Sequence, residues 1–180
     1  MDCQKFLFIK FPPSSISLRV SDLHCSAPRY CVHTHLIGND GWNSTIIGNS
    51  FEEGYGAGTT IHGTHGMRVE NNVYYNCRGS GIYIEDGNEM NNTIANNVII
   101  SRTVTETKSF KETAIYAIGM SNHFLGNRMV AYQNTFFSPG GCCGDGVAWG
   151  KVCPKWTPFG TFKGQVTHES GRFGLYFDSK

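Results

Sequence analysis

The chain has 180 residues, a formal net charge of +1 and only 16% charged residues. That balance leaves no basic stripe, so nucleic acid is excluded as a partner. No apolar stretch is long enough to span a membrane, and the length suits a single domain.

Residues 1–28 carry no repeat and are expected to form an irregular N-terminal segment. Within it Phe6-Leu7-Phe8-Ile9 is interrupted by Lys10 and followed by Pro12-Pro13, which makes a poor signal-peptide core. From 29 to 180 a short phrase recurs: an apolar residue, any residue, Gly or Asn, then Asn or Gln. It reads Ile46-Ile47-Gly48-Asn49, Val69-Glu70-Asn71-Asn72, Ile94-Ala95-Asn96-Asn97, Phe124-Leu125-Gly126-Asn127 and Phe162-Lys163-Gly164-Gln165. The last residues step by 23, 25, 30 and 38, a period that marks a coiled repeat. Leu36-Ile37-Gly38-Asn39 fits the same phrase but lies too close to Asn49 to be a coil of its own.

A second phrase keeps step with the first. Gly58, Gly81 and Gly174 each stand nine residues after the Asn or Gln and precede a short apolar strand. Because strands alternate faces, Thr59/Ile61, Ile82/Ile84 and Leu175/Phe177 are expected inward. Thr60/His62, Tyr83/Glu85 and Tyr176/Asp178 are expected outward. In the coil after Asn127 the strand is placed from Phe137, with Phe136 in the glycine position. These features predict an all-β parallel β-helix of about six coils. Corner Asn residues tolerate left-handed backbone and can stack into a hydrogen-bonded ladder, so Asn49, Asn72, Asn97 and Asn127 are assigned to structure. The growing steps place insertions at 102–111 and 138–158. The chain stops directly after an apolar strand with no polar cap, and so reads as a fragment.

None of the seven cysteines forms a Cys-x-x-Cys pair, which argues against a thiolate zinc site. Disulfides stapling the 138–158 insertion, with connectivity open, would place the protein in an oxidising compartment. Sequons at Asn43-Ser44-Thr45 and Asn91-Asn92-Thr93 agree with secretion. Trp149, Trp156 and Phe159 offer a sugar platform, against a competing reading as a satellite core under the loop.

The register stacks His62 and Glu85 on the outer face, and the strand Val32 to Leu36 adds His35 to the same column. The rung Ala114 to Gly119 puts Ile118 at its end. His33 and Tyr83 line the neighbouring column; His65 and Arg68 follow on the next corner. Histidine beside a carboxylate is an acid–base pair. For hydrolysis Glu85 is the acid and His62 its modulator. Asp86 joins as a second carboxylate only where the strand ends before it, because otherwise it points inward. A lyase would use His62 as base and Arg68 to neutralise a uronate. The competing reading is a set of solvated cross-strand pairs worth about 0.2–1 kcal/mol each. Two imidazoles and a carboxylate could also hold a divalent metal, but residues on stacked coils rarely converge without a loop, so no metal site is assigned and no cofactor is called for, with calcium left open.

Arg29-Tyr30-Cys31-Val32-His33-Thr34-His35, Thr60-Ile61-His62-Gly63-Thr64-His65, Ile84-Glu85-Asp86-Gly87-Asn88-Glu89 and Asn122-His123-Phe124-Leu125-Gly126-Asn127-Arg128 occur in that order. Together they resemble the β-helix region of the family of the cell-migration-inducing hyaluronan-binding protein, the transmembrane hyaluronidase and the fibrocystin-like receptors. The resemblance implies a right-handed helix, an extracellular or cell-surface setting, and a preceding glycine-rich domain in the full-length protein. Some members of that family bind or depolymerise hyaluronan and others are receptor-like, so fold alone does not assign activity. Ser80, where relatives often carry His, and the Cys142-Cys143 insertion depart from the hyaluronan-active pattern. The expected function is engagement of a polysaccharide, such as a glycosaminoglycan. Its depolymerisation is the sharp version; a non-catalytic binding or structural module is the alternative.

Overall fold

The computed structural model describes residues 7–8, 17–18, 23–24, 30–101 and 112–178. Its strands follow a strict three-part rhythm. The first coil holds β1 (Leu7–Phe8), β2 (Ser17–Leu18) and β3 (Leu23–His24). The second holds β4 (Tyr30–Gly38), β5 (Thr45–Ile47) and β6 (Ser50–Glu52), and the third β7 (Ala57–Thr64), β8 (Arg68–Glu70) and β9 (Val73–Tyr75). The fourth holds β10 (Ile82–Ile84), β11 (Thr93–Ala95) and β12 (Val98–Ile100). The fifth holds β13 (Thr113–Ala117), β14 (His123–Leu125) and β15 (Arg128–Val130). The sixth holds β16 (Asn134–Ser138), β17 (Phe162–Lys163) and β18 (Val166–His168), and β19 (Phe173–Phe177) opens a seventh. Each strand pairs with the one three places on, giving sheets of seven, six and six strands. All pairings are parallel, as in β7 with β10 and β8 with β11. This is the parallel β-helix expected from the repeat. The strands of the first coil fall within 1–28, where the sequence shows no repeat. The 102–111 insertion lies outside the described residues.

The corner phrase divides its work between two residues. Gly48, Asn71, Asn96, Gly126 and Gly164 all take a left-handed φ, between 53° and 71°, which Gly and Asn tolerate best. The residue after each one turns its side chain into the stack. Asn49 Nδ2 donates to Asn72 Oδ1 at 2.9 Å, Asn72 Nδ2 to Asn97 Oδ1 at 3.0 Å, Asn97 Nδ2 to Asn127 Oδ1 at 2.9 Å and Asn127 Nδ2 to Gln165 Oε1 at 3.0 Å. Asn92 and Asn122 form a second, shorter ladder at another corner, with Nδ2 to Oδ1 at 2.9 Å. Gly38 and Asn39 make no coil corner; Asn39 opens a 3-10 turn, Asn39–Gly41.

The core is one apolar column lined by three stacks. Ile61 and Ile84 pair in the first sheet, Ile46, Val69, Ile94 and Phe124 align in the second, and Phe51, Tyr74, Ile99 and Met129 in the third. All belong to one buried cluster. Glycine before the strand is required by space. A Cβ on Gly58 would stand 2.5 Å from the Tyr74 ring and 2.8 Å from the Gly81 carbonyl. Gly58→Ala is therefore expected to cost about 1–3 kcal/mol of overpacking strain, read as a lower denaturant midpoint at unchanged slope.

Two placements differ from expectation. Phe136 pairs with Ile115 and Leu175 and is fully buried, so it fills the first inward position and Thr135 takes the glycine position. The segment from Asn127 to the strand is one residue shorter here than after Asn49, Asn72 and Gln165. Leu175 and Phe177 keep the inward register but remain 44% and 45% exposed, because no strand in the described residues pairs beyond β19.

Candidate functional site

The outer face of the first sheet carries the polar column. His35 and His62 are register partners in β4 and β7. Glu85 continues β10, its N–H donating to Ile61 O at 3.1 Å, and Ile118 follows with its N–H on Ile84 O at 3.3 Å. The column therefore reads His35, His62, Glu85, Ile118, as the spacing predicts. His33 shares the outward face of β4 with His35, two residues away.

These side chains converge. His35 Nδ1 lies 3.0 Å from His62 Nδ1, and His62 Nδ1 lies 3.4 Å from Glu85 Oε2. His33 Nε2 stands 3.8 Å from the same Glu85 oxygen, and its ring stacks on that of His62 at 5.5 Å and 10°. Burial, reinforced by His62 and then His35, pulls the His33 imidazole down to about 4, so it is neutral at physiological pH. One ring nitrogen from each of the three histidines lies within 4.8 Å of the others, a spacing able to hold a metal ion. The expectation that stacked coils keep such groups apart does not hold at this face.

Asp86 enters the site because β10 ends at Ile84. Its carboxylate is fully buried and Oδ2 sits 3.1 Å from His62 Nε2. The sequence reading assigned no role to the residue that shapes this turn, Glu89. Glu89 is fully buried. Its Oε1 accepts from Gly63 N at 2.9 Å and Asp86 N at 3.0 Å, and its Oε2 from Gly87 N at 2.7 Å. Glu89 thus fixes the residue after His62 and the backbone of Asp86 at once. An acid four residues beyond Glu85 in a tight Asp-Gly-Asn turn is the only trace of this in the sequence.

The second insertion occupies 139–161, between β16 and β17, and folds back to the site. Asp145 N donates to Asp86 O at 2.8 Å and Val147 N to Asp86 Oδ2 at 3.2 Å, and Pro154 packs at Gly87. The expected satellite core does not form: Trp149 is 67%, Trp156 76% and Phe159 57% exposed. The expected disulfides are not made either. Cys142, Cys143 and Cys153 are free thiols. The loop is held by backbone bonds such as Gly150 N to Cys143 O at 2.7 Å and Lys155 N to Gly141 O at 3.2 Å. Cys31, by contrast, is disulfide-bonded.

Three predicted site residues stand apart from the cluster. Tyr83 is only 5% exposed and packs on Tyr116 with ring centroids 4.9 Å apart, so no open ring face is available for a sugar. The aromatic stack runs on along the sheet through Phe137 and Tyr176. Arg68 begins β8 in the second sheet and is bound bidentately by Glu70, at 2.8 and 2.7 Å. His65 lies on the corner after β7, where its Nδ1 accepts from Met90 N at 3.3 Å and burial lowers its pKa. Among the described residues no helix is long and apolar enough to cross a membrane.

A histidine between two carboxylates, with further histidines above it, can move protons or bind a cation. Comparison with known proteins agrees with the architecture. The chain is 28% identical to human Fibrocystin-L over 153 residues, which cover 82% of this chain and 4% of that protein. It is 30% identical over 76 residues to human Cell surface hyaluronidase CEMIP2, covering 39% of this chain and 6% of that protein. It is 40% identical over 70 residues to Communication mutant protein F of Dictyostelium discoideum, covering 39% and 6%. The chain therefore spans a small part of the length of these relatives. The family model for the CEMIP beta-helix matches residues 23–137, more than half of the chain, and with coils, corners and register in agreement this chain belongs to the CEMIP beta-helix family.

Proposed function

We propose that this chain is a polysaccharide-engaging β-helix module of an extracellular or cell-surface protein, and that it shortens a hyaluronan-like glycan at the His35, His62, Glu85 and Asp86 cluster. The observation that carries this reading is the pair of carboxylates, Glu85 and Asp86, flanking the two nitrogens of His62 on an outward sheet face. Glu85 is part-exposed and can deliver a proton to a leaving sugar oxygen. Asp86 is buried beside the other ring nitrogen, 3.1 Å away, and supplies the imidazole with a charge partner. Hydrolysis is favoured over elimination because Arg68, the expected uronate neutraliser, is committed to Glu70 on another sheet. The name of one relative, a cell surface hyaluronidase, points to the same substrate class. The loop that touches Asp86 also carries the exposed Trp149 and Trp156, rings available to stack on a sugar.

The test is chain shortening of hyaluronan and of a pectin-like polymer, with and without calcium. Glu85→Gln is expected to lower the rate by at least about 100-fold, the usual scale of a general acid, with folding unchanged by circular dichroism. A second reading, binding without turnover, draws on the two exposed tryptophans. It predicts no shortening by the wild type, and glycan retention that survives Glu85→Gln and is lost in Trp149→Ala/Trp156→Ala.

A further inference from the structure

We infer that His33, His35 and His62, with the Glu85 carboxylate as fourth donor, form a site for one divalent transition-metal ion of the zinc class. The inference concerns the same side chains as the glycan reading and competes with it for Glu85, which cannot ligate the ion and deliver a proton at once; metal uptake is measured without a glycan.

Geometry is the first argument. Ligands about 2.0–2.1 Å from a tetrahedral zinc lie about 3.3 Å from one another. The donor separations here are 3.0 Å for His35 Nδ1 to His62 Nδ1, 3.4 Å for His62 Nδ1 to Glu85 Oε2 and 3.8 Å for His33 Nε2 to Glu85 Oε2. These three of the six edges bracket that value, and the three histidine nitrogens all lie within 4.8 Å of one another, so rotation of the rings closes the rest. Satisfaction of polar groups is the second argument. His33 Nε2 is buried with no hydrogen-bond partner among the described residues, a costly state for an imidazole nitrogen that a metal bond relieves. The third is orientation from behind. His62 presents Nδ1 to the cluster while Nε2, which makes no hydrogen bond among the described residues, stands 3.1 Å from Asp86 Oδ2, so that a small ring rotation on metal binding would complete the carboxylate–histidine contact. Asp86 is itself held by Val147 N. Donor chemistry then selects the ion. Three imidazoles and one carboxylate suit zinc, copper, nickel or cobalt, whereas calcium demands six to eight oxygens.

The experiment uses the full chain, stripped with chelator and titrated with Zn²⁺ by calorimetry, with Co²⁺ as a spectroscopic probe. The expected result is one equivalent of Zn²⁺ and visible Co²⁺ bands of tetrahedral intensity, with no competition from Ca²⁺. His35→Ala, at an exposed position, is expected to weaken Zn²⁺ binding at least 10-fold, and His35→Ala/His62→Ala to abolish it. Asp86→Asn should weaken binding about 10–100-fold. Cys142→Ser/Cys153→Ser should leave it unchanged. No uptake by the folded wild type overturns the proposal, as does equal uptake by the double-histidine variant or loss of binding with the cysteines. Should His62→Ala unfold by circular dichroism, the His35→Ala/Glu85→Gln pair carries the decision. Zinc uptake without glycan shortening would sink the catalytic reading alone, and shortening by the chelated protein would leave that reading without this ion.

Discussion

Asn97→Ala is expected to destabilise the chain by roughly 3–5 kcal/mol, a large share of the 5–15 kcal/mol that holds a typical domain. The side chain makes four hydrogen bonds. Its Nδ2 donates to Val69 O at 2.9 Å and to Asn127 Oδ1 at 2.9 Å, and its Oδ1 accepts from Asn72 N and Asn72 Nδ2, both at 3.0 Å. Asn97 is fully buried, so no water replaces them, and each stranded group costs about 1–3 kcal/mol. Asn97→Asp keeps the shape and the acceptor but loses both donations and introduces a buried charge, so it should be no milder. The neighbour gives the control. Asn96 is exposed with φ 53°, and Asn96→Gly should lie within about 0.5 kcal/mol of wild type. Urea unfolding of the three variants decides the matter. Equal effects at 96 and 97 would show that the ladder contributes nothing beyond corner geometry.

Glu89→Gln is expected to cost about 2–4 kcal/mol and to disturb the site as well. An amide nitrogen placed at Oε1 faces the N–H groups of Gly63 and Asp86, and placed at Oε2 it faces that of Gly87. Either way one or two buried donors lose their acceptor. The pH dependence separates this from a packing effect. Burial raises the Glu89 carboxyl above its usual 4.5, outweighing the N–H bonds that favour the charged form. The folded state therefore holds that proton more tightly than the unfolded state. Stability contributed by Glu89 is complete below about 4.5 and declines as pH rises through the raised folded value. Glu89→Gln, which does not titrate, should lose that part of the slope in a series of melts from pH 4 to 8. An unaltered slope would mean that Glu89 is ionised as readily folded as unfolded.

The coil architecture was legible because its causes are local. A left-handed corner needs Gly or Asn, and the buried ladder needs an amide, so both needs appear side by side as Gly48-Asn49 or Asn71-Asn72. The polar column followed from register alone, since period-two alternation and a fixed offset place His35, His62 and Glu85 in line. Phe136 shows the limit of fixed spacing, because a one-residue shortening before β16 reverses which aromatic faces the core. Glu89, the burial of Tyr83 and the exposure of Trp149 and Trp156 share another cause. Each depends on how a turn or loop packs against residues far away in the chain, and no spacing rule encodes that. The free thiols of the insertion belong here too: proximity in sequence marked Cys142, Cys143 and Cys153 as bridge partners, while the loop is closed by backbone bonds.

A solenoid is ordinarily a stack of neighbours, each rung supporting only the next. The loop 139–161 breaks that rule, since it leaves the sixth coil and grips Asp86 at the end of the β10 strand of the fourth. During synthesis the histidines of the second and third coils and both carboxylates emerge well before that loop. The sheet can be laid down in order, yet the clamp on Asp86 arrives only after the fifth coil and β16 have been wound. Fastening of Asp86 is therefore a late event, tied to the loop that follows β16 and not to formation of the strands that bear the histidines.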